Sequence, residues 1–462
     1  MSRTLHAVAA RMLTLLVSVV DLSPGIVRYG IGRDVRTRVL RRPVSALIGG
    51  TVAVEEAAPE GAVSAGDASS TSAGDASSTV VLATRSLGTG GVEAVIATLS
   101  RLLPSHGHRV VVLCTRGGAT AESLAADGIA VSVVDDPAAL AASLGALPGP
   151  AVVQLHNAPE WFADVIHSLS IPMVPVFHTT DVDLSDADWR AQRVVVDRAA
   201  AVIAVSETVR AFCASRLGVA PGRISVVPNG VSFPALSYAE ITDARARLAT
   251  LFSASLDGDA VFASLARYNI QKNIAGLVAA FLHAAERRDD IRLVVAGPID
   301  DWIEYALADS MRRASRHADR VLLLGPSTAR TVLAASDAFV LDSFFEGWPI
   351  AASEAARAGL PLVLSDAGGA SELVGDPQIR GRRVANPAAA GAGIEVSDIR
   401  RARRRPFRQV NRDELSSAIS AVAADGDSWR RRRDELVGES SWLDADEMVR
   451  RHAGLISTIG RD

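Results

Sequence analysis

The sequence predicts an α/β protein built from two doubly wound parallel-sheet domains in tandem. Three observations carry that expectation. Short apolar runs recur from residue 80 onward with helically spaced stretches between them. The runs are apolar at nearly every position rather than at alternate ones. The whole series then occurs a second time, after a polar, alanine-rich connection at 236–258. Strands apolar on both faces belong to a parallel sheet covered by helices on either side, and 462 residues leave room for two or three such cores.

Residues 1–79 precede the first series. A short apolar stretch, Met12 to Val20, is followed by Arg28, Arg33, Arg36, Arg38, Arg41 and Arg42. The stretch is too short to span a bilayer, and no small-residue cleavage site follows it. Three readings stand: a poorly ordered extension or an early start, an amphipathic helix on a membrane surface, or a targeting signal. SAGDASST at 64–71 is repeated unchanged at 72–79. Such residues bury too little apolar surface to order themselves, so a disordered basic extension and a low-complexity linker are expected over 1–79.

The first domain is expected over 80–235. VVLAT (80–84) is its opening strand, Gly88-Thr-Gly90-Gly91 a turn, and Val92 to Leu103 a helix that stops before Pro104. RVVVLC (109–114), AVVQLH (151–156), MVPVF (173–177), AVIAV (201–205) and ISVV (224–227) continue the sheet. The second domain, 236–440, has VFASLA (261–266), IRLVVAG (291–297), VLLLG (321–325), AFVLDS (338–343) and PLVLS (361–365). The tail from 413 is helical in pattern, and its last helix, 441–462, is open to packing back on the first domain. Ligands of such sheets lie beyond the carboxyl ends of the strands, so a site in the crevice facing both sheets is expected.

Composition narrows the function classes. Hydrophobic residues make up 48% of the chain and charged residues 22%, which suits a globular protein. The formal net charge of −4 supplies no global field for nucleic acid. Cys114 and Cys213 have neither metal-ligand spacing nor the number for a disulfide framework, which suits buried reduced thiols and a cytoplasmic location. Positive charge is almost wholly arginine, and Lys272 is the only lysine. A lysine retained against that background is informative.

It falls in Arg267-Tyr-Asn-Ile-Gln-Lys272, at the end of a strand and before a helix opening near Asn273. Two cations five residues apart beside a helix N-terminus suit a diphosphate, one as a fork and one as a mobile point charge. They would also stabilise negative charge growing on a departing phosphate. The second block runs from Ser343-Phe-Phe345-Glu346-Gly347-Trp348-Pro349 through Glu354 to Gly359-Leu-Pro361. Pro349 suits a helix start and Gly359 the residue past its end, so Glu346 lies in a strand-to-helix loop and Glu354 on the helix. Carboxylates so placed can accept from two sets of hydroxyls; a helix-dipole acid beside an exposed glutamate is the plainer alternative. Gly368-Gly369 and Gly90-Gly91 would let backbone N–H groups approach phosphate. His178 ends MVPVF and is followed by Thr179, Thr180, Asp181 and Asp183; His156 ends AVVQLH. Either could meet a sugar hydroxyl or serve the fold alone.

FFEGWPIAASEAARAGLPLVLSDAGGASELV, with seven residues between Glu346 and Glu354, resembles the donor site of the retaining GT-B glycosyltransferases of family 4. ARYNIQKN resembles that family's diphosphate motif, and SVVPNGVS (225–232) its interdomain segment. GTGGVE (88–93) and VFHTTD (176–181) resemble its glycine loop and histidine strand end. The resemblance covers roughly 80–375 and implies two Rossmann-like domains, an acceptor domain and a donor domain. It implies that Arg267, Lys272, Gly90 and Gly91 bind the donor diphosphate and that Glu354 binds the ribose. His178 and Glu346 would meet the transferred sugar as the catalytic pair, with Phe345, Gly347, Trp348 and Pro349 forming the loop on the sugar and phosphates. The implied reaction is hexosyl transfer from a nucleotide-sugar, a UDP-sugar ahead of a GDP-sugar. Retention, front-face attack, no metal and no cofactor are part of that implication. An epimerase-like enzyme and a non-catalytic binding protein are the alternatives.

The pattern departs after Asp376, where Arg400-Arg-Ala-Arg403-Arg-Arg405-Pro-Phe-Arg408 occurs. A solvated insertion, contact with an anionic acceptor or lipid head groups, and nucleic-acid binding are its readings. The expected partners are a nucleotide-sugar, an acceptor the sequence does not name, and an anionic membrane touched peripherally at its inner face; nucleic acid is disfavoured.

Overall fold

The computed structural model describes residues 3–22, 78–180, 182, 184–389 and 394–459. The chain forms two compact units. One comprises Ala62–Ser232, Gly347–Ile350 and Ser441–Asp462, the other Met1–Gly61, Phe233–Glu346 and Ala351–Ser440.

The first unit holds a seven-stranded sheet of β1 (Ser78–Ser86), β2 (His108–Arg116), β3 (Ala130–Val133), β4 (Ala151–His156), β5 (Met173–Phe177), β6 (Val202–Ala204) and β7 (Ile224–Val226). Their spatial order is β3-β2-β1-β4-β5-β6-β7, and every pairing is parallel. β1, β4 and β5 are the buried centre. Val81, Ala83, Val153, Leu155 and Met173 pack with Phe162 and Ile166 of the Trp161–Ser168 helix. Each large aliphatic buried in this way contributes roughly 1.5–3 kcal/mol. β3 was not evident in the sequence, because its residues are exposed or half-buried at a sheet edge and form no apolar run.

The second unit holds β8 (Ala260–Leu265), β9 (Ile291–Ala296), β10 (Val321–Leu324), β11 (Ala338–Leu341), β12 (Leu362–Ser365) and β13 (Gly381–Val384). The order is β10-β9-β8-β11-β12-β13, again all parallel. β13 reads Gly-Arg-Arg-Val and was also missed, because its two central arginines leave no apolar run. Gly381, at φ 140°, stands where a Cβ would lie 1.9 Å from the Leu362 carbonyl oxygen, so close strand pairing here requires glycine.

Part of the expected disordered extension is ordered. Arg3–Leu22 is a helix packed on the Trp302–Ala314 helix. His6, Ala9, Ala10, Leu13 and Val17 are buried, at the spacing of one helical stripe. That stripe is the physical reason for order: the apolar stretch is long enough to cover a neighbouring helix, though too short for a bilayer. The arginines from 28 to 42 and the tandem repeat up to residue 77 lie outside the described residues, while its last two residues, Ser78 and Thr79, open β1. Among the described residues no helix is long and apolar enough to cross a membrane. Cys114 and Cys213 are buried free thiols.

Ser441–Asp462 belongs to the seven-stranded unit. Val231 N–H donates to the Leu443 carbonyl at 2.8 Å, and Val231 bridges Asp444. A Cβ on Gly230 would lie 2.4 Å from the Asp444 oxygen. The PNG segment at 228–230 is thus the seat of the C-terminal tail.

Candidate active site

In the six-stranded unit the site is built on the carboxyl ends of β8 and β11. After β8 the chain passes Arg267 and is pinned by Tyr268, fully buried, whose hydroxyl meets the carbonyls of Val295 and Leu324 at 3.0 and 2.9 Å. Asn273 then takes the left-handed conformation, φ 48°, immediately before the Ile274–Ala285 helix. The loop after β11 is stitched to this turn. Phe344 N–H donates to the Gln271 carbonyl at 2.9 Å, and the Gln271 amide donates back to Phe345 O at 3.0 Å. Asn386 Nδ2 holds Phe344 O at 2.9 Å.

These bonds bring Lys272 and Glu346 together. Lys272 Nζ donates to Glu346 Oε1 at 2.5 Å, with the two side chains only 15% and 7% exposed. Gln271 Nε2 reaches the other Glu346 oxygen at 3.4 Å. Arg267 is exposed and pairs with Asp300 at 3.1 Å. Glu354 is half-buried in the Ile350–Arg357 helix. That helix follows Pro349 and ends at Gly359, φ 74°, whose N–H meets Ala356 O while Leu360 N–H meets Ala355 O.

Behind the loop lies Asp342, fully buried, accepting from Asn273 Nδ2 at 2.9 Å and Asn411 Nδ2 at 2.7 Å. Burial pushes its carboxyl up to about 8, against the pull of the Asn411 and Asn273 amides. Gln409 exchanges side-chain hydrogen bonds with Asn273 at 2.8 and 2.9 Å. The segment after Asp376 is therefore anchored under the site by Gln409 and Asn411. Its arginines are not uniformly a solvated patch: Arg403 is 4% exposed and forms an ion pair with the buried Glu304 at 2.5 Å.

In the seven-stranded unit, His178 follows β5 and His156 ends β4. Both are buried, and His156 Nδ1 lies 2.9 Å from His178 Nε2. Gln154 Oε1 stands 3.3 Å from His156 Nε2 and 3.2 Å from Nδ1 of His452 on the Ala445–Ile459 helix. Burial holds His178 down to about 3 and His452 to about 4, and drives His156 well below its ordinary value; the neighbouring histidines add to the effect for His156 and His178. Gly347 lies against this strand end, where a Cβ would come within 1.8 Å of the His178 carbonyl oxygen. Trp348 is buried edge-on to Trp442 at 5.8 Å. Gly90 and Gly91 stand at the N-terminus of the Gly91–Leu102 helix, with Gly91 3.7 Å from Ile350 measured from its virtual Cβ. Asp181 and Asp183 lie outside the described residues.

The predicted residues thus fall into two constellations: Lys272 with Glu346 in one unit, and His178 with Gly347 in the other. His452 was missed. Its only sequence signal is a histidine inside the stripe Met448, Val449, His452, Ala453, Ile456.

Two family models match the chain in succession, Glycosyltransferase Family 4 over residues 89–233 and Glycosyl transferases group 1 over 252–395. The chain belongs to the family 4 glycosyltransferases. It is 31% identical over 172 residues to an Escherichia coli UDP-Gal:alpha-D-GlcNAc-diphosphoundecaprenol alpha-1,3-galactosyltransferase, a match covering 35% of this chain and 42% of that protein. It is 26% identical over 334 residues to the Mycobacterium tuberculosis glycogen synthase, covering 62% of this chain and 76% of the synthase. The crystal structure of Anabaena HepE in complex with UDP and glucose superposes with a TM-score of 0.67 at 17% identity, covering 82% of this chain and 99% of that one. That likeness places both Rossmann-like units in the GT-B fold.

Proposed function

We propose that this family 4 member transfers a hexose from a nucleoside-diphosphate sugar, a UDP-sugar first, to an acceptor, with retention and without a metal. The observation that carries the reading is the largely buried Lys272–Glu346 ion pair beyond the ends of β8 and β11. A diphosphate arriving there would compete for the ammonium, with Arg267 as the second cation. Glu346, released from that bond, would accept from a sugar hydroxyl, and Glu354 from the ribose. As the glycosidic C–O bond lengthens, charge grows on the leaving phosphate, where Lys272 and Arg267 oppose it. His178 would stand against the transferred sugar. The acceptor would use the cleft past β4 and β5, lined by Asn157, Glu160, Phe177 and Gln192.

The Arg3–Leu22 helix supports a lipid-linked acceptor and peripheral attachment to the cytoplasmic face of an anionic membrane. Opposite its packed stripe it leaves Leu5, Val8, Met12 and Leu15 exposed by 52%, 47%, 62% and 66%. The first 50 residues carry eight arginines against two acidic residues in a chain of net charge −4. Apolar side chains and basic charge together select an anionic bilayer, and the name of the E. coli relative gives GlcNAc-diphosphoundecaprenol, a lipid-linked sugar, as its acceptor.

A screen of UDP-, GDP- and ADP-sugars by thermal shift and mass spectrometry tests the donor. Stabilisation by a UDP-sugar, abolished in Lys272→Ala, is expected, and no response to any nucleotide would overturn the reading. Donor turnover into an isomer without acceptor would point to the epimerase-like alternative. Co-sedimentation with phosphatidylglycerol vesicles, absent with phosphatidylcholine and lost in Leu5→Glu/Met12→Glu, is expected of the attached form. Equal binding to both vesicles would remove the electrostatic part.

A further inference from the structure

Four side chains that are buried in the seven-stranded unit form an unbroken polar line: His178, His156, Gln154 and His452. The family motif supplies only the first. Gln154 and His156 face the same side of β4, two residues apart, while His452 is 298 positions further along the chain than Gln154. Among the described residues no group of three or more His, Cys, Asp or Glu is placed to hold a metal ion, so the line calls for an explanation in hydrogen bonding.

We propose that His452 and Gln154 are positioning residues which, through His156, fix the tautomer of His178 so that its outer nitrogen accepts a hydrogen bond from the donor sugar. The assignment follows from counting protons. An amide oxygen only accepts, so the two nitrogens facing Gln154 Oε1 must both carry hydrogen: Nε2 of His156 and Nδ1 of His452. A neutral imidazole has one N–H, so Nδ1 of His156 is left as an acceptor. Its partner 2.9 Å away, Nε2 of His178, must then be the donor. His178 Nδ1 is left with a lone pair. It can accept from a sugar hydroxyl, and it cannot donate to a phosphate oxygen.

Burial keeps each ring neutral, which the proton count requires, since a charged imidazole would donate from both nitrogens. The Gln154 Nε2 group has no partner in its buried position. The fold therefore tolerates an unsatisfied donor while turning the amide oxygen toward the two rings. A carboxylate at this place would keep the same two donors; an apolar side chain would free both rings to exchange tautomers. This inference rests on the role proposed for His178, but its primary test does not.

The test is 15N-imidazole NMR on the full chain at neutral pH, with signals assigned by single histidine replacements. Protonated and unprotonated ring nitrogens are well separated in such spectra. The expected result is one tautomer at each site: N–H at Nε2 for His156 and His178, at Nδ1 for His452. Gln154→Glu should keep that set. Gln154→Leu should replace it with averaged signals. So should His452→Leu, which removes the donor that holds the Gln154 oxygen in place and lets the amide turn its Nε2 toward His156. In both, the fold, checked by circular dichroism, survives. The opposite set, or a set that Gln154→Leu leaves unchanged, would overturn the proposal. Where a nucleotide-sugar is turned over, His452→Leu should lower kcat about tenfold, the lower end of what losing an outer partner costs at metal-bound histidines, with UDP affinity unchanged. Correct tautomers with no turnover of any nucleotide-sugar would leave the relay standing and remove the functional reading alone.

Discussion

The two units share one architecture and bury polar groups in opposite ways. The seven-stranded unit buries neutral bases: His156, His178 and His452, joined by an amide. The six-stranded unit buries acids, and handles them in two manners. Asp342 is neutralised by burial, whereas Glu304 and Glu346 are matched with Arg403 and Lys272. The difference teaches what each region is equipped to meet. Fixed neutral rings suit hydroxyls, while a paired cation suits a competing anion such as a diphosphate.

The contrast can be broken most forcefully at Glu304. Glu304→Ala removes the carboxylate that meets a guanidinium 3% exposed. It should destabilise the six-stranded unit by about 3–5 kcal/mol, read by denaturant unfolding, with Trp348 and Trp442 of the other unit reporting little change. A loss shared equally by both units would show that they do not unfold separately. Next is Lys272→Ala, expected to lower donor turnover about 100- to 1000-fold with little change in the histidine signals. A loss below tenfold would deny the lysine its part in the chemistry.

The pH dependence separates the two units because the signs differ. The three histidines are depressed in the folded state, to about 3 for His178 and about 4 for His452. The unfolded chain therefore takes up protons first. Their contribution is intact above the ordinary histidine value of 6.5 and is lost as pH falls toward 4. Asp342 is raised to about 8 from 3.8, so the folded state holds the extra proton. Its contribution is intact below the ordinary carboxylate value and is lost as pH rises toward 8. Each group shifts stability by up to about 1.4 kcal/mol per pH unit within its window. Calorimetry should show two transitions moving in opposite directions between pH 5 and pH 6.5, with only that of the six-stranded unit still moving from there to pH 8. The smallest effect is expected from Asp342→Asn, which should flatten the alkaline slope of the six-stranded unit; an unchanged slope would assign it to another group.

Much of this was legible in the sequence because central parallel strands announce themselves. AVVQLH and MVPVF match β4 and β5 residue for residue. β3 and β13 were silent because their residues form no apolar run, whereas β7 and β10, edge strands too, carry one. Motif spacing placed Lys272 and Glu346 on adjacent loops, but spacing does not say that the two bond to each other. That depends on Gln271 and Asn386 holding the β11 loop down. His452 was invisible because its partner on β4 is joined to it only by the tertiary fold. The arginine cluster misled in part: Arg403 resembles its neighbours in sequence, and only Glu304 on a distant helix distinguishes it.

The return of Ser441–Asp462 to the seven-stranded unit has a consequence for biogenesis. β1 to β7 leave the ribosome well before that tail is made, and domains tend to fold as they emerge. Until residue 452 is synthesised, the amide of Gln154 faces water in place of its second imidazole. The histidine line can close only when the six-stranded unit has already been translated. A nascent chain stalled before Ser441 would therefore carry an open first unit, and closing it is among the last steps that make this protein native.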